Sequence, residues 1–147
     1  MALIESLLAI ALERLATIPE SAPLMDAAKL LRSGTDIVVV CDSAGHVAGV
    51  ITKSDVVTQL GHCRGASCLI MASAVMAREV VMCHPEDWLF DAWSAMKRHR
   101  LKNMPIIDTE KHPLGILNAR DVLQALLREV KDEEALLRDY VMNVGYQ

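Results

Sequence analysis

Apolar positions along the chain follow two alternating patterns. Leu24, Ala27, Ala28 and Leu31 have the i, i+3, i+4, i+7 spacing of one helix face, and Leu89, Ala92, Trp93 and Met96 repeat it. Between such faces lie short apolar runs bounded by turn residues, which predict strands at Ile37–Cys41 and Val47–Thr52, and again at Met104–Ile107 and Leu114–Asn118. The turns joining them, Asp42-Ser-Ala-Gly45 and Asp108 to Pro113, are rich in turn-forming residues. Two shorter strands are predicted near Ala16–Ile18 and Val80–Cys83, each ahead of a Pro-Glu pair.

The two sets are copies of one another. Gly49-Val-Ile-Thr-Lys-Ser-Asp55 and Gly115-Ile-Leu-Asn-Ala-Arg-Asp121 lie 66 residues apart (115 − 49 = 66), as do Asp42 and Asp108. Downstream, Val56, Val57 and Leu60 match Val122, Leu123 and Leu126 at the same offset. The upstream helix faces match at 65, a change of one residue that a loop absorbs. Each half therefore reads β-α-β-β-α. A unit this small buries too little surface alone, so the two sheets are expected to pack on each other about a pseudo-twofold axis in an α/β (α+β) fold. The expected segments are an N-terminal helix over 1–15, a first repeat over 16–61, a linker over 62–74, a second repeat over 75–130, and a C-terminal helix and tail over 131–147, where Glu133 to Tyr140 is patterned as a helix.

Composition narrows the function. With 147 residues, 52% hydrophobic, the chain can form a core, and a net charge of −4 with 3% aromatics argues against a nucleic-acid partner. The apolar N-terminus is interrupted by Glu5, Glu13 and Arg14, short of the ~20 residues of a membrane span, and it lacks the features of a signal peptide. A soluble, cytoplasmic protein with reduced cysteines is expected.

The duplicated β-α-β-β-α unit, closed each time by the Gly-to-Asp heptad, resembles a tandem pair of cystathionine-β-synthase-type (CBS) domains from roughly Ala16 to Val130, standing alone without an appended effector domain. The resemblance implies a regulatory module whose cleft binds an adenosine-containing ligand such as AMP, ADP, ATP, S-adenosylmethionine or NAD. In that family the hydroxyl residue of G-h-h-[ST]-x-x-D approaches phosphate and the aspartate binds the ribose hydroxyls. Carried over, these are Thr52 and Asp55 in the first copy. In the second, Asp121 matches, while Asn118 replaces the hydroxyl residue. An ionised carboxylate accepts from two hydroxyls at once, and a hydroxyl beside a helix start suits an anion. The family's adenine slot points to Ile18, Val38, Val80, Met104 and Pro105, and the phosphate candidates are Lys53, Arg120, Arg100 and Lys102.

Other readings stand beside this one. Thr52-x-x-Asp55 and Asn118-x-x-Asp121 also read as helix caps, and the four basic residues as solvated surface. His62, Cys63, Cys68, Cys83 and His84 could form a zinc, iron–sulfur or thiol-switch site, although paired C-x-x-C spacing is absent and adjacent strand residues face opposite sides. No metal site is assigned, and Cys63 with Cys68 remains a redox candidate. No G-x-S-x-G elbow, P-loop or H-E-x-x-H occurs, so no catalytic residue is expected. No cofactor is required on this reading; the adenine nucleotide is a regulatory ligand. Family precedent implies a homodimer formed through helices, with the terminal helices available to a client protein. The competing class is a structural or interaction dimer whose nucleotide sites have decayed.

Overall fold

The computed structural model describes residues 1–31, 34–62 and 69–145, with side chains given to residue 143. A 3-10 turn at Ile4–Leu7 leads into α1 (Leu8–Glu13). The first repeat follows as β1 (Thr17–Pro19), α2 (Leu24–Leu31), β2 (Ile37–Cys41), β3 (Val47–Thr52) and α3 (Lys53–His62). After a short α4 (Ala72–Val75), the second repeat contains α5 (Leu89–His99), β4 (Asn103–Ile107), β5 (Pro113–Asn118) and α6 (Ala119–Gly145).

In the first sheet β1 runs parallel to β2, and β2 pairs antiparallel with β3. The second sheet keeps only the antiparallel pair β4–β5, and its expected first strand is reduced to one parallel bridge between Cys83 and Ile106. Proline chemistry accounts for the loss. Val39 N–H donates to the Ala16 carbonyl at 2.9 Å, whereas the residue 66 positions later is Pro105, which has no N–H to give.

The hairpin strands β2–β5 alternate between two largely buried environments, which explains why they read as continuous apolar runs. Val38, Val40 and Ile51 join Ile18 and α2 in the core of the first repeat. Met104, Ile106 and Leu117 join α5 in the core of the second. The opposite faces, Ile37, Val39, Val47 and Val50 with Ile107 and Ile116, meet between the sheets and bind the two repeats together. The hairpin turns also meet: the His46 and His112 rings lie 4.9 Å apart, and Val47 N–H donates to the Lys111 carbonyl.

The segment ahead of each repeat completes the other repeat. Ile4 and Ala11 are buried in the second core, and the chain near Ala2–Glu5 bonds to the backbone of Pro85, Asp87 and Leu89. Similarly, Ala72 and Met76 fill the first core, and Ala72 N–H donates to the Ala22 carbonyl. The N-terminal helix thus belongs to the second repeat's core instead of lying outside the repeats. The motif glycines make both contacts possible. A Cβ on Gly115 would lie 2.8 Å from the Ala11 carbonyl carbon and its Cβ, and one on Gly49 would lie 2.6 Å from the Ala77 carbonyl oxygen.

The expected break near residue 130 is absent, because α6 is one helix of 27 residues, roughly 40 Å long at 1.5 Å per residue. No proline or glycine interrupts it before Gly145, and Ala, Leu, Glu, Lys and Arg dominate its sequence. Its distal part exposes Leu136, Leu137, Tyr140, Val141 and Met142. Among the described residues no helix is long and apolar enough to cross a membrane.

The glycine contacts can be tested by adding one methyl group. Gly49→Ala and Gly115→Ala are expected to lower the unfolding free energy by about 1–3 kcal/mol through overpacking, while Gly61→Ala, in open space on α3, raises it by up to about 1 kcal/mol. Denaturant unfolding of the three variants measures the contrast.

Candidate functional site

At the end of β3 the backbone turns into α3, and the turn is closed by a reciprocal cap. The Thr52 N–H and hydroxyl donate to Asp55 Oδ2 at 2.9 and 3.1 Å, while Asp55 N–H reaches Thr52 Oγ1 at 3.4 Å. One carboxylate oxygen, Oδ1, has no partner among the described residues. This junction opens into a cavity of about 600 Å³ whose walls include Ile37, Val50, Thr52, Asp55, Val80 and Pro105. Capping and an available carboxylate therefore coexist at Asp55.

The rim of this cavity is charged. Arg100, Lys102 and Lys53 line it together with Asp36 and Glu79. Lys53 Nζ pairs with Asp36 at 3.4 Å, whereas neither Arg100 nor Lys102 pairs with a carboxylate among the described residues. Arg100 caps α5 in the left-handed region with φ 56°, a conformation costing a non-glycine residue about 1–2 kcal/mol. The first repeat has Gly34, φ 86°, at the equivalent place.

A second cavity of about 360 Å³ is the pseudo-symmetric counterpart, lined by Glu13, Arg14, Gly34 and Ile116, with Asp36, Ile37 and Asn103 shared between the two. Its local chemistry differs throughout. The Asn118 amide donates to the Asn103 side chain at 3.0 Å, and Asn118 Oδ1 accepts from Arg120 N–H, so the hydroxyl–carboxylate cap is missing. Asp121, buried to 7% exposure, instead receives Arg14 in a fork: Nε to Oδ2 at 2.7 Å and Nη2 to Oδ1 at 3.0 Å. The bond to Asp121 holds the Arg14 guanidinium above its ordinary pKa. Where the first rim has Arg100 and Lys102, the second has Gly34 and Asp36.

The structure gathers Thr52, Asp55, Val80, Pro105, Lys53, Arg100 and Lys102 around one cavity. It does not bring Ile18, Val38 or Met104 there; their side chains, at most 6% exposed, point into the cores of their own repeats. Neighbours of opposite strand parity, Ile37 and Pro105, form that wall instead. Arg120 is exposed and lines neither cavity. Arg14 was not legible as a site residue within a repeat that begins at Ala16. Continuing the 66-residue offset upstream would have set it opposite Val80 and set Ala11 opposite Ala77.

Cysteine chemistry is narrower than the sequence allows. Burial pushes the Cys83 thiol up to about 12, and its Sγ lies 3.6 Å from the Pro105 carbonyl, so this thiol is unreactive at neutral pH. Cys63 and Cys68 lie outside the described residues. Among the described residues no group of His, Cys, Asp and Glu is placed to hold a metal ion.

Known proteins place this architecture. The fold matches the CBS domain structure of a membrane protein from Sphaerobacter thermophilus, at 27% identity and TM-score 0.68 over 84% of this chain and 87% of that one. It also matches a CBS domain pair in complex with 5′-methylthioadenosine and S-adenosyl-L-methionine (20% identity, TM-score 0.72, 88% and 98% covered) and CBSX2 in complex with AMP (18%, 0.73, 87% and 98%). The chain spans about a quarter of the length of the curated relatives it matches, 27% of one and 22% of another. Some of those relatives are enzymes by name, and the matched stretch is a fraction of each. The sequence pattern of the CBS domain matches residues 9–62 and 72–128, which together make up most of the chain, and with the duplicated fold and its paired clefts this places the protein in the CBS domain family as a tandem pair.

Proposed function

We propose that the protein is a regulatory module that binds an adenine nucleotide in the Thr52–Asp55 cleft and signals occupancy through its conformation or assembly. The observation that carries this reading is the available Asp55 carboxylate oxygen beside a capped helix start, opposite a rim holding Arg100 and Lys102. Asp55 would accept from the ribose hydroxyls, and the rim cations would neutralise phosphate. Ile37, Val50, Val80 and Pro105 would sandwich the base without an aromatic ring. Solved relatives bound to AMP or to S-adenosyl-L-methionine support the ligand class. The left-handed Arg100 supports the phosphate role, since a strained residue kept at a cleft is often functional. Occupancy regulates only by its difference in affinity between two states.

Calorimetric titration with AMP, ADP, ATP, NAD and S-adenosylmethionine tests the proposal. At least one is expected to bind below millimolar concentration, and Asp55→Ala to weaken it by about tenfold or more, as loss of a charged hydrogen-bond acceptor does. No binding by any of the five refutes the sensor reading. Arg100→Gly separates strain from ligand contact: stability is expected to stay level or rise by up to about 1 kcal/mol, while affinity falls more for ATP than for adenosine.

The apolar stripe of α6 favours assembly as the means of signalling. Leu127, Val130, Leu137 and Val141 follow a near-heptad spacing and are all at least half exposed. A second copy covering this stripe would make the module a homodimer. Analytical ultracentrifugation is expected to show a dimer that Leu137→Glu shifts to monomer; a wild-type monomer at high concentration rules this out.

A further inference from the structure

The two clefts share one frame, and at one position they differ in kind. Val80 lines the first cleft near Asp55; 66 residues earlier, at the matching place in the second, stands Arg14. Its guanidinium gives both carboxylate oxygens of Asp121 a donor, as the two hydroxyls of a ribose would. We propose that Arg14 is the built-in occupant of the second cleft and sets how many nucleotides the module takes: the Asp55 cleft loads first, and the second admits a nucleotide only when Arg14 leaves Asp121.

Three independent features support this assignment. Asn118 donates to Asn103 and accepts from the Arg120 N–H, leaving Asp121 without the internal cap that Asp55 has. Asp121 is nearly buried, and a buried carboxylate requires a partner, which Arg14 supplies with both of its fork contacts. The rim carries Glu13 and an Asp36 already paired with Lys53, so while the Arg14 charge is spent on Asp121 no other cation among the described lining residues of this cavity meets an incoming phosphate. In the second half the carboxylate that matches Asp55 is thus covered by one side chain, Arg14, which itself lines the cleft.

The lock also has a direction of action. Arg14 is the C-terminal cap residue of α1, and α1 lies with its Ala11 backbone directly on Gly115 of β5. Releasing Asp121 therefore bears on the N-terminal segment that completes the second core. A ligand for the closed cleft binds with an apparent affinity reduced in proportion to the fraction of molecules in which Arg14 has let go. The segment ahead of the first repeat then acts as a specificity element for the second.

This inference rests on the nucleotide reading of the clefts, and the variants separate the two. Calorimetry with ADP on the full chain is expected to show one nucleotide per wild-type chain and two per Arg14→Ala chain, with the first affinity unchanged within about twofold. The double variant R14A/D55A should keep one site, and R14A/D121A should lose the one that R14A gained. If wild type and R14A/D121A bind nothing while R14A/D55A binds, the Asp55 reading fails and the lock stands. If R14A/D55A binds nothing, or if Asp121→Ala alone lowers nucleotide binding by a chain that still carries Arg14, the lock is overturned. Arg14→Lys, which keeps the charge but loses the fork, covers the case in which R14A does not fold: it should expose the second site at lower affinity than the first, and a folded R14K with one site overturns the proposal equally.

Discussion

Two backbone-on-backbone contacts hold this molecule in its form: α1 on Gly115 and the segment ending at Ala77 on Gly49. Neither contact leaves room for a Cβ, so each repeat accepts the chain leading into the other directly against its glycine. The cores are shared as a result. Ile4 and Ala11 complete the second, Ala72 and Met76 complete the first, and the sheets close on each other through Ile37, Val39, Val50 and Ile116. A single repeat of this chain would lack part of its own core.

The same exchange builds the clefts. The incoming segment does not stop at the glycine but continues along the end of the β-hairpin, so Glu79–Val81 wall the first cleft and Glu13–Arg14 wall the second. Symmetry of the frame then lets single residues set the chemistry. Val80 leaves Asp55 open, while Arg14 closes Asp121. Arg100 and Lys102 give one rim two cations without a carboxylate partner among the described residues, while the other has Gly34 at the place of Arg100 and shares Asp36 with the first. With so few aromatics available, both pockets rely on aliphatic walls and on charge, and charge separates them.

Much of the fold was legible because it rests on periodicity. Strands buried on both faces read as unbroken apolar runs, helices as spaced stripes, and the Gly-to-Asp heptads as a duplication. Thr52, Asp55, Val80 and Pro105 were nameable through the resemblance to the CBS family that the aligned copies carry, and Arg100 and Lys102 as basic residues ahead of a strand. Ile18, Val38 and Met104 were not separable from their neighbours, because strand alternation says that two faces exist without saying which one meets the cleft. The second repeat's first strand was expected from its apolar run, yet that run carries no sign that Pro105 opposite it has no hydrogen to donate.

The sequence by itself determined the duplication, the order of elements, the cap at Thr52–Asp55 and the oddity of Asn118, since all are properties of spacing and residue type. Only the tertiary structure decided which segment completes which core, that the glycines are seats for a neighbouring backbone, and that Arg14 meets Asp121 across 107 positions of chain. These are distances between parts remote in sequence. Periodicity reports what a residue's neighbours along the chain require of it, while a salt bridge or a closed pocket depends on where packing places residues that no local pattern connects.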